Sequence, residues 1–131
     1  MNEANNPGVL SGSKKILIVE DEEALANALK LKLTSEKFIV SWAPNGSVAL
    51  DLLAQESFDL ILTDLILPVM DGFAMMQKLQ EKGNKIPIIV LSNLGQAEDI
   101  DHARSLGAIE FLIKSNVPLA RIPDYINKIL K

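Results

Sequence analysis

From Lys14 onward the chain alternates short apolar runs with amphipathic stretches. Five runs are strand-length: Ile16 to Val19, Phe38 to Trp42, Leu60 to Leu62, Ile86 to Leu91 and Ile109 to Ile113. Most are too continuous for a sheet with one wet face, and they read as parallel strands covered on both sides. Between them lie helical stripes. Leu25, Ala28, Leu29 and Leu33 form the first, and Val48, Ala49, Leu52 and Leu53 the second, entered through Asn45-Gly46-Ser47. Phe73, Met76 and Leu79 form a third that stops at Gly83, and a fourth, roughly Ala97 to Leu106, stops at Gly107. Glycine at such a stop accepts the left-handed backbone that ends a helix. Pro118 and Pro123 disturb the last segment, because proline lacks an amide donor and restricts the residue before it. They predict an irregular stretch over 115–122 and a short final helix near 123–130.

A β-α unit repeated five times predicts an α/β fold, a doubly wound five-stranded parallel sheet with helices on both faces. No internal repeat interrupts it. Residues 1–13 are polar and rich in Gly, Asn and Ser, which predicts a flexible leader before a single domain over 14–131.

Charge and composition then remove several function classes. The 131 residues carry 13 Lys plus Arg against 17 Asp plus Glu, a net charge of −4. That balance lacks the basic face of a nucleic-acid binder. No cysteine is present, so disulfides and thiolate metal sites are excluded. The apolar runs are far too short to span a membrane, and no signal peptide opens the chain. A soluble, cytoplasmic protein is expected.

The chemistry lies where the strands end. The first strand runs into Glu20-Asp21, the third into Asp64, the fourth into Ser92 and the fifth into Lys114. In doubly wound sheets, ligands bind outside the carboxyl ends of the strands. Two carboxylates about 4 Å apart repel by roughly 4 kcal/mol at an effective dielectric near 20. Three together call for a cation or a proton. An all-oxygen set with few protein ligands favours Mg²⁺, and Lys114 adds a compact positive charge. Singly, each residue has a plainer role, since Glu20 or Asp21 would serve as a helix cap, Ser92 as a turn residue and Lys114 as a solvated charge. Their convergence from four strands favours a site.

These residues resemble the receiver domain of two-component response regulators, over about Lys14 to Lys131. The most specific stretch is Asp64-Leu65-Ile66-Leu67-Pro68-Val69-Met70-Asp71-Gly72, similar along its whole length to the family's phosphoacceptor loop. The resemblance implies the flavodoxin-like strand order 2-1-3-4-5 and a regulatory domain rather than an enzyme acting on other substrates. It implies that Asp64 accepts a phosphoryl group from a histidine kinase or phosphotransfer protein. Asp21, Asp64 and the backbone carbonyl of Ile66 would bind Mg²⁺ directly, and Glu20 through a coordinated water. Lys114 would contact the phosphoryl group, Ser92 would donate its hydroxyl to it, and Phe111 would change rotamer. The face of helix 4, strand 5 and helix 5 would then alter its affinity for a downstream protein, in a monomer or a weak phosphorylation-dependent dimer. Pro68, Asp71 and Gly72 would shape the loop and cap the next helix.

Two departures stand out. Ser115 follows the lysine where the family commonly has proline, which removes the usual reason for a cis bond there. Asn93 follows Ser92 where the family commonly has Ala or Gly, and predicts slower exchange with small phosphodonors. Ile66 and Leu94 at the rim offer nothing to hold an attacking water, so a long-lived phosphoryl form is expected. His102 reads as a solvated helix residue, Met75 and Met76 as core, Trp42 as a packing anchor, and Asp99 and Asp101 as surface charge. The alternative function is a degenerate receiver that never takes phosphate and serves as a docking module. No DNA-binding output segment is visible, which leaves a free-standing switch or a fragment of a longer regulator.

Overall fold

The computed structural model describes residues 12–130. The leader expected over 1–13 therefore lies outside the described residues, apart from Gly12 and Ser13. The elements run β1 (Lys15–Val19), α1 (Glu23–Ser35), β2 (Ile39–Ala43), α2 (Gly46–Gln55), β3 (Leu60–Thr63), α3 (Gly72–Glu81), β4 (Ile88–Ser92), α4 (Ala97–Ser105), β5 (Ala108–Ile113) and α5 (Ile122–Leu130). The five strands are parallel in the order β2-β1-β3-β4-β5, as expected.

Both faces of the sheet are covered, which is why the strands read as continuous apolar runs. Ile16, Ile18, Leu60, Leu62, Ile89, Leu91 and Leu112 pack beneath α1 (Leu29, Leu33) and α5 (Ile122, Ile126). Leu17, Val19, Ile61, Ile88 and Val90 pack on the other face beneath α2, α3 and α4. Met75 and Met76 are fully buried in that second layer, the core role expected of them. Helix boundaries follow local chemistry. Asn45 and Asp71 cap α2 and α3 by accepting the Val48 and Ala74 amides at 2.9 and 2.8 Å. Gly83 (φ 74°) and Gly107 (φ 107°) take the left-handed backbone beyond α3 and α4.

Some expectations need correction. The fourth strand begins at Ile88 rather than Ile86, because Pro87 has no amide to give the ladder and contributes only its carbonyl, to Ile61 N at 3.0 Å. Val48 is exposed, and the inner side of α2 is Ala49 with half-buried Leu50, Leu52 and Leu53. The β4–β5 register shifts between Ile88 and Ile89, so Ile109 is an additional residue and stands 52% exposed. That bulge puts Phe111 on the same face as Ala108. The expected irregular stretch contains a 3₁₀ turn at Leu119–Arg121, and α5 starts at Ile122 with Pro123 in its first turn, where a missing amide costs nothing.

Candidate functional site

The carboxyl ends of β1, β3 and β5 deliver their acids and ammonium to one place. The Asp64 amide donates to Val19 O at 2.9 Å and the Glu20 amide to Ala43 O at 3.0 Å, so each acid leaves its strand as a continuation of the ladder. Glu20 and Asp64 are buried, 2% and 6% exposed, while Asp21 is exposed. One carboxylate oxygen from each of the three lies within 4.8 Å of the others. Lys114 Nζ sits between two of them, 2.7 Å from Asp64 Oδ2 and 2.9 Å from Glu20 Oε1.

Backbone amides satisfy the remaining oxygens. Asp64 Oδ1 accepts from Leu65 N at 2.6 Å and from Ile66 N at 3.3 Å. Glu20 Oε2 accepts from Glu22 N at 3.0 Å. Glu20 is thus tied to the start of α1 without being its N-cap; that position is Glu22, whose side chain makes no capping bond. Burial pushes the Glu20 carboxyl above its ordinary range and the charge of Asp64 adds to this, against the Glu22 amide and Lys114. Burial alone would lower the Lys114 pKa, but hydrogen bonds and charge from Asp64 and Glu20 outweigh it and raise it. Three carboxylates and one ammonium leave an acidic basin, and its all-oxygen donors suit a hard divalent cation.

Ser92 does not join this cluster directly. It is fully buried, and its Oγ accepts from Leu94 N at 3.3 Å rather than bonding Asp64. Its carbonyl accepts the Lys114 amide at 3.0 Å, so β4 and β5 are joined at the site's edge. Phe111 is half-buried against the core beneath α4. No cis peptide occurs among the described residues, and Lys114 reaches both acids with Ser115 following it.

The loop from Asp64 to Gly72 is closed tightly. The Gly72 amide donates to Leu65 O at 2.9 Å, and a Cβ there would collide with the Asp64 carbonyl and come within 2.9 Å of Leu65 Cα. The Gly46 amide, at the start of α2, donates to Met70 O at 2.9 Å. Between these anchors Val69 adopts φ 64°, and Met70 N donates to Pro68 O at 2.6 Å across it, a three-residue turn. Ile66 and Val69 are 59% and 85% exposed on this rim.

The model of the response regulator receiver domain family matches residues 16–127. The chain belongs to that family. Response regulator RppA of Synechocystis is 38% identical over 102 residues, which cover 76% of this chain and 44% of the relative. Response regulator PleD of Caulobacter vibrioides is 38% identical over 104 residues, 78% of this chain and 23% of PleD. The chain thus spans under half the length of these curated relatives. Among solved structures, the non-phosphorylated HemR receiver domain of Leptospira biflexa superposes with a TM-score of 0.83 at 31% identity, covering 91% of this chain and 95% of that one. A CheY-like receiver domain from Methanospirillum hungatei gives 0.84 at 26% identity, covering 90% and 94%. These neighbours share the five-stranded flavodoxin-like arrangement.

Of the residues singled out in the sequence, the receiver site unites Glu20, Asp21, Asp64 and Lys114, with Ser92 joined through the backbone. Three features escaped the sequence. Trp42 Nε1 donates to the Glu20 carbonyl at 2.6 Å, the Val69 turn has no glycine to announce it, and exposed His102 stacks on Phe73 with ring centroids 4.4 Å apart. Among the described residues, no helix is long and apolar enough to cross a membrane.

Proposed function

We propose that this receiver is a phosphorylation-dependent switch whose phosphoacceptor is Asp64, with a histidine kinase or phosphotransfer protein as donor. One observation carries this reading: the buried Asp64 carboxylate is held 2.7 Å from Lys114 Nζ, in an acidic basin at the sheet's carboxyl edge. A carboxylate oxygen of Asp64 attacks phosphorus, and the bond from phosphorus to the donor's histidine nitrogen breaks with its electron pair going to the imidazole. The product is an acyl phosphate. Such transfers pass through a loose transition state, so the protein's part is positioning and charge stabilisation. Lys114 provides the positive charge, and the Leu65 and Ile66 amides fix the carboxylate.

Asp21, Asp64 and the Ile66 carbonyl would hold Mg²⁺ directly and Glu20 through a coordinated water. When bound, the ion offsets the acids and the charge of the phosphoryl oxygens. The phosphoryl group brings about −1.5 to −2 charges. Lys114 then turns from Glu20 toward it, and the Ser92 hydroxyl exchanges the Leu94 amide for a phosphoryl oxygen. Phe111 follows into the space vacated, and the α4-β5-α5 face changes its affinity for a downstream protein. The family assignment and the Asp64–Lys114–Ser92 connections support this sequence of events.

Intact-mass spectrometry after incubation with acetyl phosphate and Mg²⁺ tests it. The wild type gains one phosphoryl group and Asp64→Asn gains none. No gain in the wild type, together with no beryllofluoride-induced NMR shifts at the basin, would establish the docking module instead.

A further inference from the structure

We propose that Trp42 is a positioning residue for divalent-cation binding, acting through its hydrogen bond to the Glu20 carbonyl. The inference rests on the Mg²⁺ site proposed above. In a parallel ladder, a residue's amide donates to one strand partner and its carbonyl accepts from an amide two residues further along that partner. The Glu20 amide donates to Ala43 O, so its carbonyl would ordinarily accept from Asn45 N. That donor is not delivered, because β2 ends at Ala43, Pro44 follows, and Asn45 has turned to cap α2. The Trp42 indole N–H fills the gap at 2.6 Å.

The consequence falls on Asp21. Glu20 has four holds, its amide on Ala43, its carbonyl on Trp42, and its two carboxylate oxygens on Glu22 N and Lys114. Asp21 is exposed and, among the described residues, no side-chain hydrogen bond fixes its carboxylate, yet one of its oxygens lies within 4.8 Å of its fellow acids. The Glu20–Asp21 peptide plane sets the backbone from which that side chain departs, and the oxygen of that plane is the one Trp42 holds. Trp42 also packs against the core beneath α1, so it is anchored at the far end. Outer residues that orient ligands without touching the ion are known to tune affinity.

The test removes the indole N–H, with the ring's shape kept in one of two variants. Mg²⁺ affinity is measured by isothermal calorimetry on the full chain for wild type, Trp42→Phe, and a protein with benzothienylalanine at position 42, an isostere whose sulfur replaces N–H. Loss of one hydrogen bond predicts affinity about fivefold weaker in the isostere. The amide resonances of Asp21 and Glu22 should shift in the metal-free isostere while its melting temperature stays near wild type. Equal Mg²⁺ affinity in wild type and isostere overturns the positioning role, even where Trp42→Phe unfolds, and leaves the Mg²⁺ site standing. Absence of Mg²⁺ binding in the wild type overturns both.

Discussion

Replacing Lys114 by methionine exposes how the basin is held together without a cation. At an effective dielectric near 20, contacts of 2.7 and 2.9 Å each correspond to about 6 kcal/mol of gross attraction. Most of that offsets desolvation, since Glu20 and Asp64 are nearly buried and the Lys114 side chain is only 17% exposed. Removing one partner of a buried pair typically costs about 3–5 kcal/mol. We expect about 3 kcal/mol for Lys114→Met near neutral pH, slightly softened because the basin's rim meets water. The pH dependence carries the signature. Burial already raises the Glu20 pKa, and without Lys114 two influences that lower it disappear, so it rises further. A carboxyl raised in the folded state favours folding below its unfolded pKa of about 4.3 and loses that contribution as pH climbs through the folded value. The Lys114 pKa is itself raised, so the ammonium stays charged through the acidic and neutral range and its own titration costs stability only at alkaline pH. The deficit of the variant should therefore be smaller near pH 5 than near pH 7. Urea unfolding with a chelator present, followed by far-UV circular dichroism, measures it. A deficit below about 0.5 kcal/mol at both pH values, within the range of ordinary surface substitutions, or one identical at both, would refute the shared-ammonium account.

Three further outcomes are expected. Gly72→Ala should destabilise the fold by about 2–3 kcal/mol, because the obstacles are the Asp64 carbonyl and Leu65 Cα rather than a yielding side chain; denaturant midpoints check this. Val69→Asn should raise stability by about 0.5–1 kcal/mol, since a β-branched residue at φ 64° is strained where asparagine is tolerated, and thermal melts would show it. Asn93→Ala should speed phosphorylation by acetyl phosphate, because Asn93 is an exposed rim residue beside buried Ser92; an unchanged rate constant by mass spectrometry would reject that assignment.

The acids were legible because strand ends are. An apolar run covered on both sides stops abruptly, and Glu20, Asp64, Ser92 and Lys114 each stand at or just beyond such a stop. The topology then needs only the crossover rule to bring them to one edge. Illegible features depend on quantities that sequence patterns do not encode. The Trp42 contact depends on β2 ending at Ala43 and on the register that places Ile18 opposite Trp42. The bulge at Ile109 hides inside a short, mostly apolar run, where nothing in the residue types marks which position is looped out. Val69 shows no turn signal at all; two anchors, Gly46 to Met70 and Gly72 to Leu65, impose its backbone from outside. His102 reads as solvated and is exposed, but its stacking partner Phe73 comes from another helix.

A buried charge imbalance is useful only if relieving it moves something, and the connections from Lys114 supply that movement under the proposed role. Its ammonium is divided between Glu20 and Asp64, and its own amide is bonded to the Ser92 carbonyl. Under that role a phosphoryl group on Asp64 would compete for the ammonium at the same point where the chain is tied to β4. Ser92 opens the β4–α4 loop, and that loop rests on β5, where a Cβ on Gly95 would lie 3.1 Å from Ile113 Cδ1. Interiors packed this closely pass on a displacement instead of absorbing it. Ile113 is the residue before Lys114, so the loop and the ammonium bear on the same end of β5. Under the proposed role, movement of either would bear on the other, and a change of charge at Asp64 would reach the surface formed by α4, β5 and α5 through that shared end of β5.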